Sequence, residues 1–173
     1  DFFLVEPSEI YAEQIREYRQ DFLDTNCSMD GCGPLRKCED PFTYISECEK
    51  CTAQDTLPEG LVIATQFFYV RKADNRLVGM IQVRHYFNDY LSKFGGHIGY
   101  SIRPSERRKG YATSMLNAIL PYCREIGLDK LLITCIDGNI GSEKTIRNNG
   151  GVYESTVYES GKNCSLKRFW ITL

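Results

Sequence analysis

The spacing of apolar and polar residues divides the chain into short strands and helices. Apolar runs of strand length predict strands over residues 2–5, 64–70, 77–86, 97–102, 131–135, 152–160 and 165–171. Apolar residues at helical spacing predict helices over residues 8–22, 41–51, 110–127 and 142–149, with Pro121 interrupting or kinking the third. This order of elements predicts an α+β fold with a mixed, mostly antiparallel sheet flanked by helices.

The strand, helix and strand over residues 97–135 decide the topology of the sheet. An apolar strand that is followed by a helix and then by a second apolar strand forms a right-handed parallel crossover. The strands over residues 64–86 are joined by the turn-forming residues 73–75, which predicts an antiparallel hairpin. The parallel pair of the sheet is therefore expected at the crossover, and the remaining pairs are expected to be antiparallel.

Composition and charge exclude several classes of partner. The 173 residues are 42% hydrophobic, which is ordinary for a globular protein and sufficient for one domain over residues 1–173. A net charge of -2 gives no general attraction to nucleic acid or to an anionic membrane. No apolar run is long enough to span a membrane. We therefore expect a cytoplasmic protein with no nucleic-acid or membrane partner.

Cysteine is unusually frequent in this chain. Eight cysteines are present, and five of them lie in one stretch: Cys27, Cys32, Cys38, Cys48 and Cys51. The last two have the spacing of half a zinc site, but the other three fit no standard spacing for the second half. Reduced thiols without a bound metal are the simpler expectation, because a core of this size needs no disulfides. We refer to residues 26–57 as the Cys-rich segment.

The turn before the third predicted helix is rich in positive charge. Arg107, Arg108 and Lys109 precede Gly110 at the point where the helix begins. A helix N-terminus presents amides without partners and a partial positive charge, so a glycine-containing turn there can bind phosphate oxygens through its backbone. A solvated basic surface is the alternative interpretation of the same residues.

Two motifs in this part of the chain resemble those of a known family. The first, Arg-x-x-Gly-x-Ala, places Arg107, Gly110 and Ala112 at the basic turn. The second places Asn139 and Ser142 ahead of a Gly-Gly pair. The arrangement resembles the GNAT superfamily of acetyltransferases from about residue 61 to the end, with the Cys-rich segment outside the resemblance. It implies a sheet splayed between its two crossover strands, with acetyl-CoA as co-substrate in the splay.

The resemblance also implies which residues bind acetyl-CoA. The pantetheine arm and the acyl carbonyl would meet the strand before the basic turn, at Tyr100, Ser101 and Ile102. The pyrophosphate would be held by Arg107, Arg108, Lys109, Gly110, Tyr111, Ala112 and Thr113. The other side of the arm would be contacted by Asn139 and Ser142.

The acid and base positions depart from the family's pattern. The position of the family's proton-donating tyrosine is Ile146, and the position of its base is Gly96. His97 is therefore the candidate catalytic residue, as a base or as a group that positions water, because the pKa of histidine lies near the working range. Strand alternation places His97 on the face opposite to Gly96, so a structural, hydrogen-bonded histidine is the alternative.

The expected activity follows from the resemblance. It implies an acetyl-CoA-dependent N-acetyltransferase in which an amine attacks the thioester directly, within a ternary complex. The acceptor would be a small-molecule or peptide amine beside the Cys-rich segment, and a net charge of -2 mildly favours a cationic one. The protein would act as a monomer or a homodimer. Two alternatives stay open. One is a non-catalytic sensor that binds acyl-CoA, which is favoured by the absence of the tyrosine at residue 146. The other is an interaction module stabilised by a bound zinc ion.

Overall fold

The computed structural model describes all 173 residues and contains seven strands and four α-helices. The first half comprises β1 (Phe2–Val5), α1 (Ala12–Asp24), α2 (Pro41–Lys50), β2 (Ala64–Arg71) and β3 (Arg76–Arg84). The second half comprises β4 (Ile98–Ile102), α3 (Tyr111–Glu125), β5 (Lys130–Ile136), α4 (Ile140–Asn148), β6 (Val152–Glu159) and β7 (Cys164–Thr172). Every strand and helix predicted from the apolar pattern is present.

The strands form two hydrogen-bonded sheets, with the orders β1-β2-β3-β4 and β5-β7-β6. All pairs within both sheets are antiparallel. The α+β fold class is confirmed, but the parallel pair expected at the crossover does not form, because β4 and β5 are separated so far that no strand ladder joins them. The two sheets meet where the His97 amide donates to the Leu132 carbonyl at 2.8 Å. Beyond this bond, β4 and β5 diverge.

Two apolar cores lie on opposite faces of the first sheet. One fills the space between the sheets and the helices α3 and α4, and it includes Ile98, Met115 and Phe169. The other lies under α1 and α2 and includes Tyr18 and Phe68. Each fully buried side chain of this size contributes roughly 1.5–3 kcal/mol, so both helix layers hold the sheet in place.

Helix α3 continues through Pro121, which lies inside it rather than at an end. The expected interruption does not occur, because the apolar face that includes Met115, Ile119 and Cys123 stays buried on both sides of the proline. Tertiary packing therefore outweighs the lost backbone hydrogen bond and the ring clash, which cost about 3 kcal/mol in an isolated helix.

The Cys-rich segment folds against the first sheet. Helix α2 begins as predicted, with Asp40 Oδ2 accepting from the Thr43 amide at 3.2 Å and Pro41 in the first turn. Cys32, Cys38 and Cys48 are buried in the core under α1 and α2, and all eight cysteines are unpaired thiols.

No group of three or more His, Cys, Asp or Glu side chains is arranged to hold a metal ion. Among the helices, none combines the length and the apolar character that crossing a membrane requires.

Candidate active site

The turn between β4 and α3 presents its backbone amides outward. Arg108 and Gly110 both have left-handed backbone conformations, with φ of 64° and 79°. The amides of Arg108, Lys109 and Gly110 form no hydrogen bond with other backbone groups. The next three amides belong to the first turn of α3, where no intrahelical partner exists. Six consecutive donors from residue 108 to residue 113 are therefore available to an anion.

The basic side chains of this turn are engaged to different degrees. Arg107 lies back over β4, where its Nε donates to the Ile102 carbonyl at 3.0 Å. Lys109 pairs with Glu106 at 2.7 Å, whereas Arg108 is exposed. The backbone, together with Arg108, is therefore the part of the turn best placed for a diphosphate.

Glu106 holds the start of the turn in position. Its buried carboxylate accepts from Arg71 at 2.8 Å, from Arg76 at 2.7 Å and from Lys109 at 2.7 Å. Burial acts to raise the pKa of Glu106, but the hydrogen bonds from Arg71 and Lys109 outweigh it and lower the pKa to about 2. The carboxylate is thus charged at neutral pH and ties the ends of β2 and β3 to the turn.

The edge of β4 that faces the opening carries free amides. The Arg103 amide donates to the Val78 carbonyl in the β3–β4 ladder, at 2.8 Å. Because alternate residues of a strand point their backbone groups to opposite edges, the amides of Tyr100 and Ile102 face the gap towards β5. The amides of residues 108–113 form a second set of free donors, which residues 103–107 separate from the edge of β4.

One side-chain contact bridges the opening between β4 and α4. Tyr100 Oη lies 2.6 Å from Ser142 Oγ, and the Ser142 amide donates to Asn139 Oδ1 at 3.1 Å as the cap of α4. Burial raises the pKa of Tyr100 to about 12, although the hydrogen bond with Ser142 acts against it. The structure therefore joins Tyr100 to Ser142 and places Asn139 at the same end of α4.

Ser101 and Ile102 point their side chains away from the opening. Ser101 Oγ lies 3.0 Å from Tyr18 Oη and 3.2 Å from Cys32 Sγ, on the side of α1. Ile102 is buried in the core under α3. Only backbone groups of these two residues are available to a ligand in the opening.

The geometry around His97 is that of a structural group. Its Nδ1 accepts from the Leu132 amide at 2.9 Å, and the ring is buried and lies 4.1 Å from the Phe87 ring. Burial and the positive charge of Arg84 lower the pKa of His97 to about 4. The acceptor nitrogen of the neutral ring is therefore already occupied, and His97 links the two sheets.

The two positions where the family has its acid and base are closed to that role. Ile146 is fully buried in the core. Gly96 has φ of 67°, and a Cβ there would lie 2.4 Å from the Leu132 carbonyl oxygen. No side chain fits at residue 96 without moving β5.

Sequence reasoning missed the importance of Arg84. Met80, Gln82 and Arg84 alternate along β3 with side chains on the α1 side, and Arg84 Nε donates to Gln82 Oε1 at 3.0 Å. Two polar residues at alternate positions near the end of an apolar strand were the available signal. Their position beside β4 follows only from the strand pairing.

The fold and the open β4 edge together define an acetyltransferase-type protein. The family model described as the acetyltransferase (GNAT) domain matches residues 34–152. The chain therefore belongs to the GNAT acetyltransferase family, which confirms the resemblance carried by the two motifs. The match begins at residue 34, so the family region includes most of the Cys-rich segment, which the motifs alone had left outside.

The individual relatives are more distant. The uncharacterized N-acetyltransferase YnaD of Bacillus subtilis (strain 168) is 30% identical over 88 residues, which are 50% of this chain and 49% of that protein. The chain thus matches about half the length of this curated relative.

Solved structures share the fold. RimL, a ribosomal L7/L12 alpha-N-protein acetyltransferase solved with coenzyme A, has a TM-score of 0.71 and 13% identity, covering 99% of this chain and 94% of its own. MccE, a microcin C7 self-immunity acetyltransferase solved with acetyl-CoA and AMP, has a TM-score of 0.70 and 20% identity. The match covers 100% of this chain and 93% of the MccE chain.

Proposed function

We propose that this acetyltransferase uses acetyl-CoA and transfers its acetyl group to an amine by direct attack within a ternary complex. The observation that carries the proposal is the presence of two sets of amides without backbone partners: those of Tyr100 and Ile102 at the open edge of β4, and those of residues 108–113 in the basic turn. An amide-rich arm that ends in a diphosphate matches these two sets, because it offers acceptors in the same order.

The residues that would hold acetyl-CoA fit the group chemically. The diphosphate would accept from the amides of residues 108–113, with the exposed Arg108 guanidinium beside them. The pantetheine arm would run along the open edge of β4, past the amides of Ile102 and Tyr100. Asn139 and Ser142 would lie on its other side, at the start of α4.

Acetyl-CoA supplies an acetyl group activated as a thioester and leaves as a thiol. The departing sulfur needs a proton, and we assign its donation to Tyr100, whose hydroxyl bridges to Ser142 at the opening. A pKa raised to about 12 by burial keeps this hydroxyl protonated at neutral pH. Tyr100 would thereby serve in place of the tyrosine that Ile146 replaces.

The acceptor would approach from the α1 side of β4, where the Cys-rich segment lies. Gly31 contacts Gly99 there, so this segment would border the acceptor. We propose a small-molecule or peptide amine as the acceptor, and a monomer or homodimer acting in the cytoplasm. The named acceptors of the structural neighbours differ from one another, so they do not select one for this chain.

Two measurements on the full chain test this proposal. Isothermal titration calorimetry should show binding of CoA, and an assay of free thiol should show release from acetyl-CoA when amines are offered. The amine panel should contain amino acids, polyamines, amino sugars and peptides with free N-termini. CoA binding without thiol release from any amine would favour the non-catalytic sensor, and absence of CoA binding would reject both.

A further inference from the structure

Arg84 is a half-buried cation on the acceptor side of the first sheet. It is the last residue of β3, and its guanidinium is held by two uncharged groups. Nε donates to Gln82 Oε1 at 3.0 Å, and Nη1 donates to the Gly95 carbonyl at 3.3 Å. Because a guanidinium has five N–H donors, three remain without a protein partner. The orientation of the side chain is therefore fixed, but its hydrogen-bonding capacity is not used up.

The positive charge of Arg84 has no carboxylate partner. Burial lowers the pKa of its guanidinium, while Asp30 and Tyr90 act only at a distance to raise it. Arg103, which is fully buried, instead pairs with Asp21 at 2.6 Å and with Glu17 at 3.3 Å. A partly desolvated charge without a counterion is costly, so a ligand that provides a counterion would be stabilised there.

The free end of the Arg84 guanidinium lies next to β4. A Cβ on Gly99 would be 3.0 Å from Arg84 Nη2, which puts this nitrogen against the backbone just before Tyr100. Tyr100 is the residue whose amide and hydroxyl border the opening. The guanidinium therefore lies on the α1 face of the strand along which the thioester would be held.

We propose that Arg84 binds a carboxylate on the acceptor, so that the substrate is an amine that also carries a carboxylate. This inference rests on the proposed function. The guanidinium still has both N–H groups of Nη2 and one of Nη1 free, and such groups bind a carboxylate through charge-assisted hydrogen bonds. One cation balances one carboxylate, which fits a monoanion better than a phosphate dianion. A cationic acceptor, which the net charge favoured, would be repelled here.

The test uses pairs of probes that differ only in the carboxylate. The probes are the N-acetyl derivatives of common L-amino acids and the corresponding N-acetyl amino-acid amides, which resemble products. Their binding is measured by ligand-observed NMR, with the protein saturated with CoA and again without CoA. We expect at least one acid to bind about tenfold or more tightly than its amide. Thiol release with free amino acids and their amides should show the same order.

Four variants complete the design. Arg84→Gln should remove the preference for the acid, and Arg84→Lys should retain a weaker one, because an ammonium keeps the charge but not the paired donors. Arg124→Gln removes one exposed positive charge from α3 and should leave the preference unchanged. Asp30→Asn should not weaken binding of the acids, since Asp30 forms no ion pair with Arg84 and its negative charge repels a carboxylate.

The outcomes separate this inference from the proposed function. Equal binding of acids and amides, no binding of either, or a preference that persists in Arg84→Gln would overturn the role of Arg84. If wild-type protein fails to bind CoA, the proposed function fails. In that case the NMR comparison without CoA still decides whether Arg84 recognises carboxylates.

Discussion

The backbone of Gly31 lies directly against the backbone of Gly99. A Cβ on Gly31 would be 2.2 Å from the Gly99 carbonyl oxygen, and Gly31 has a left-handed φ of 68°. The adjacent Cys32 thiol lies 3.2 Å from Ser101 Oγ. This part of the Cys-rich segment is therefore packed on β4 with no side chain between the two backbones.

The first prediction concerns Gly99→Ala. The new methyl would lie 3.0 Å from Arg84 Nη2 and 3.1 Å from Gly31 Cα, so both must move. We expect the free energy of unfolding to fall by about 1–3 kcal/mol, as in other overpacked sites. Urea denaturation measures it. Gly141→Ala is the matched control, because its nearest atom is 3.8 Å away; equal stability of the two variants would contradict the prediction.

The second prediction compares Gly110→Ala with Gly127→Ala, at opposite ends of α3. Both glycines have a left-handed φ, of 79° and 88°, and a methyl added to either would meet open space. Alanine should therefore strain either site by about 1 kcal/mol. Only Gly110→Ala should shift the amides of the turn, and we expect it to weaken CoA binding about tenfold in calorimetry. An equal loss of affinity in Gly127→Ala would show that the turn has no special role.

The third prediction concerns Tyr100→Phe. If Tyr100 donates the proton to sulfur, its loss should lower kcat about 100-fold and leave CoA binding nearly unchanged. Tyr69→Phe is the control, because Tyr69 Oη also donates to a serine, Ser114, at 2.9 Å, but away from the opening. Steady-state thiol release and CoA calorimetry measure the two effects. Retention of full kcat in Tyr100→Phe would remove Tyr100 from the mechanism.

The fourth prediction concerns Glu106 and acid. Because hydrogen bonds from Arg71 and Lys109 outweigh burial and hold the pKa of Glu106 at about 2, below its ordinary value of 4.5, its stabilisation is complete above pH 4.5. It is lost as the pH falls from 4.5 towards 2. Urea denaturation across this range should show a decline that is smaller in Glu106→Gln.

At neutral pH, Glu106→Gln should cost about 3 kcal/mol, since it leaves three cations without their buried partner. Glu154→Gln breaks a more exposed pair, with Arg168, and should cost under about 1 kcal/mol. If Glu106→Gln lowers the free energy of unfolding no more than Glu154→Gln does, burial does not strengthen the ion pairs of Glu106.

Most elements of the fold could be predicted because their apolar periodicity is strong. The strand over residues 64–70 and the helix over residues 110–127 both appear within a few residues of their expected ends. Pro121 is the exception, since a local rule predicted an interruption or a kink there and the helix is not interrupted, its apolar face being buried on both sides of the proline. The separation of the sheets at His97 and Leu132 was accessible only through the family resemblance.

The candidate site was predicted in part. The turn at Arg107 and Gly110 could be located because a glycine between a strand and a helix has a local backbone requirement. The pairing of Glu106 with Arg71 and Arg76 could not be foreseen, because these two arginines lie on other strands. Such pairs depend on strand register, which a single sequence specifies only weakly.

The sequence by itself determined the order of the elements, the family and the position of the basic turn before α3, because each depends on residues close together in the chain. Only the tertiary structure decided which side chains are already occupied and which are free. In the tertiary structure His97 accepts a hydrogen bond from the Leu132 amide, and the hydroxyls of Tyr100 and Ser142 are in contact. Arg84 has no carboxylate partner. These contacts join segments that are far apart in the sequence, and the burial of each group sets how strong its hydrogen bonds and ion pairs are.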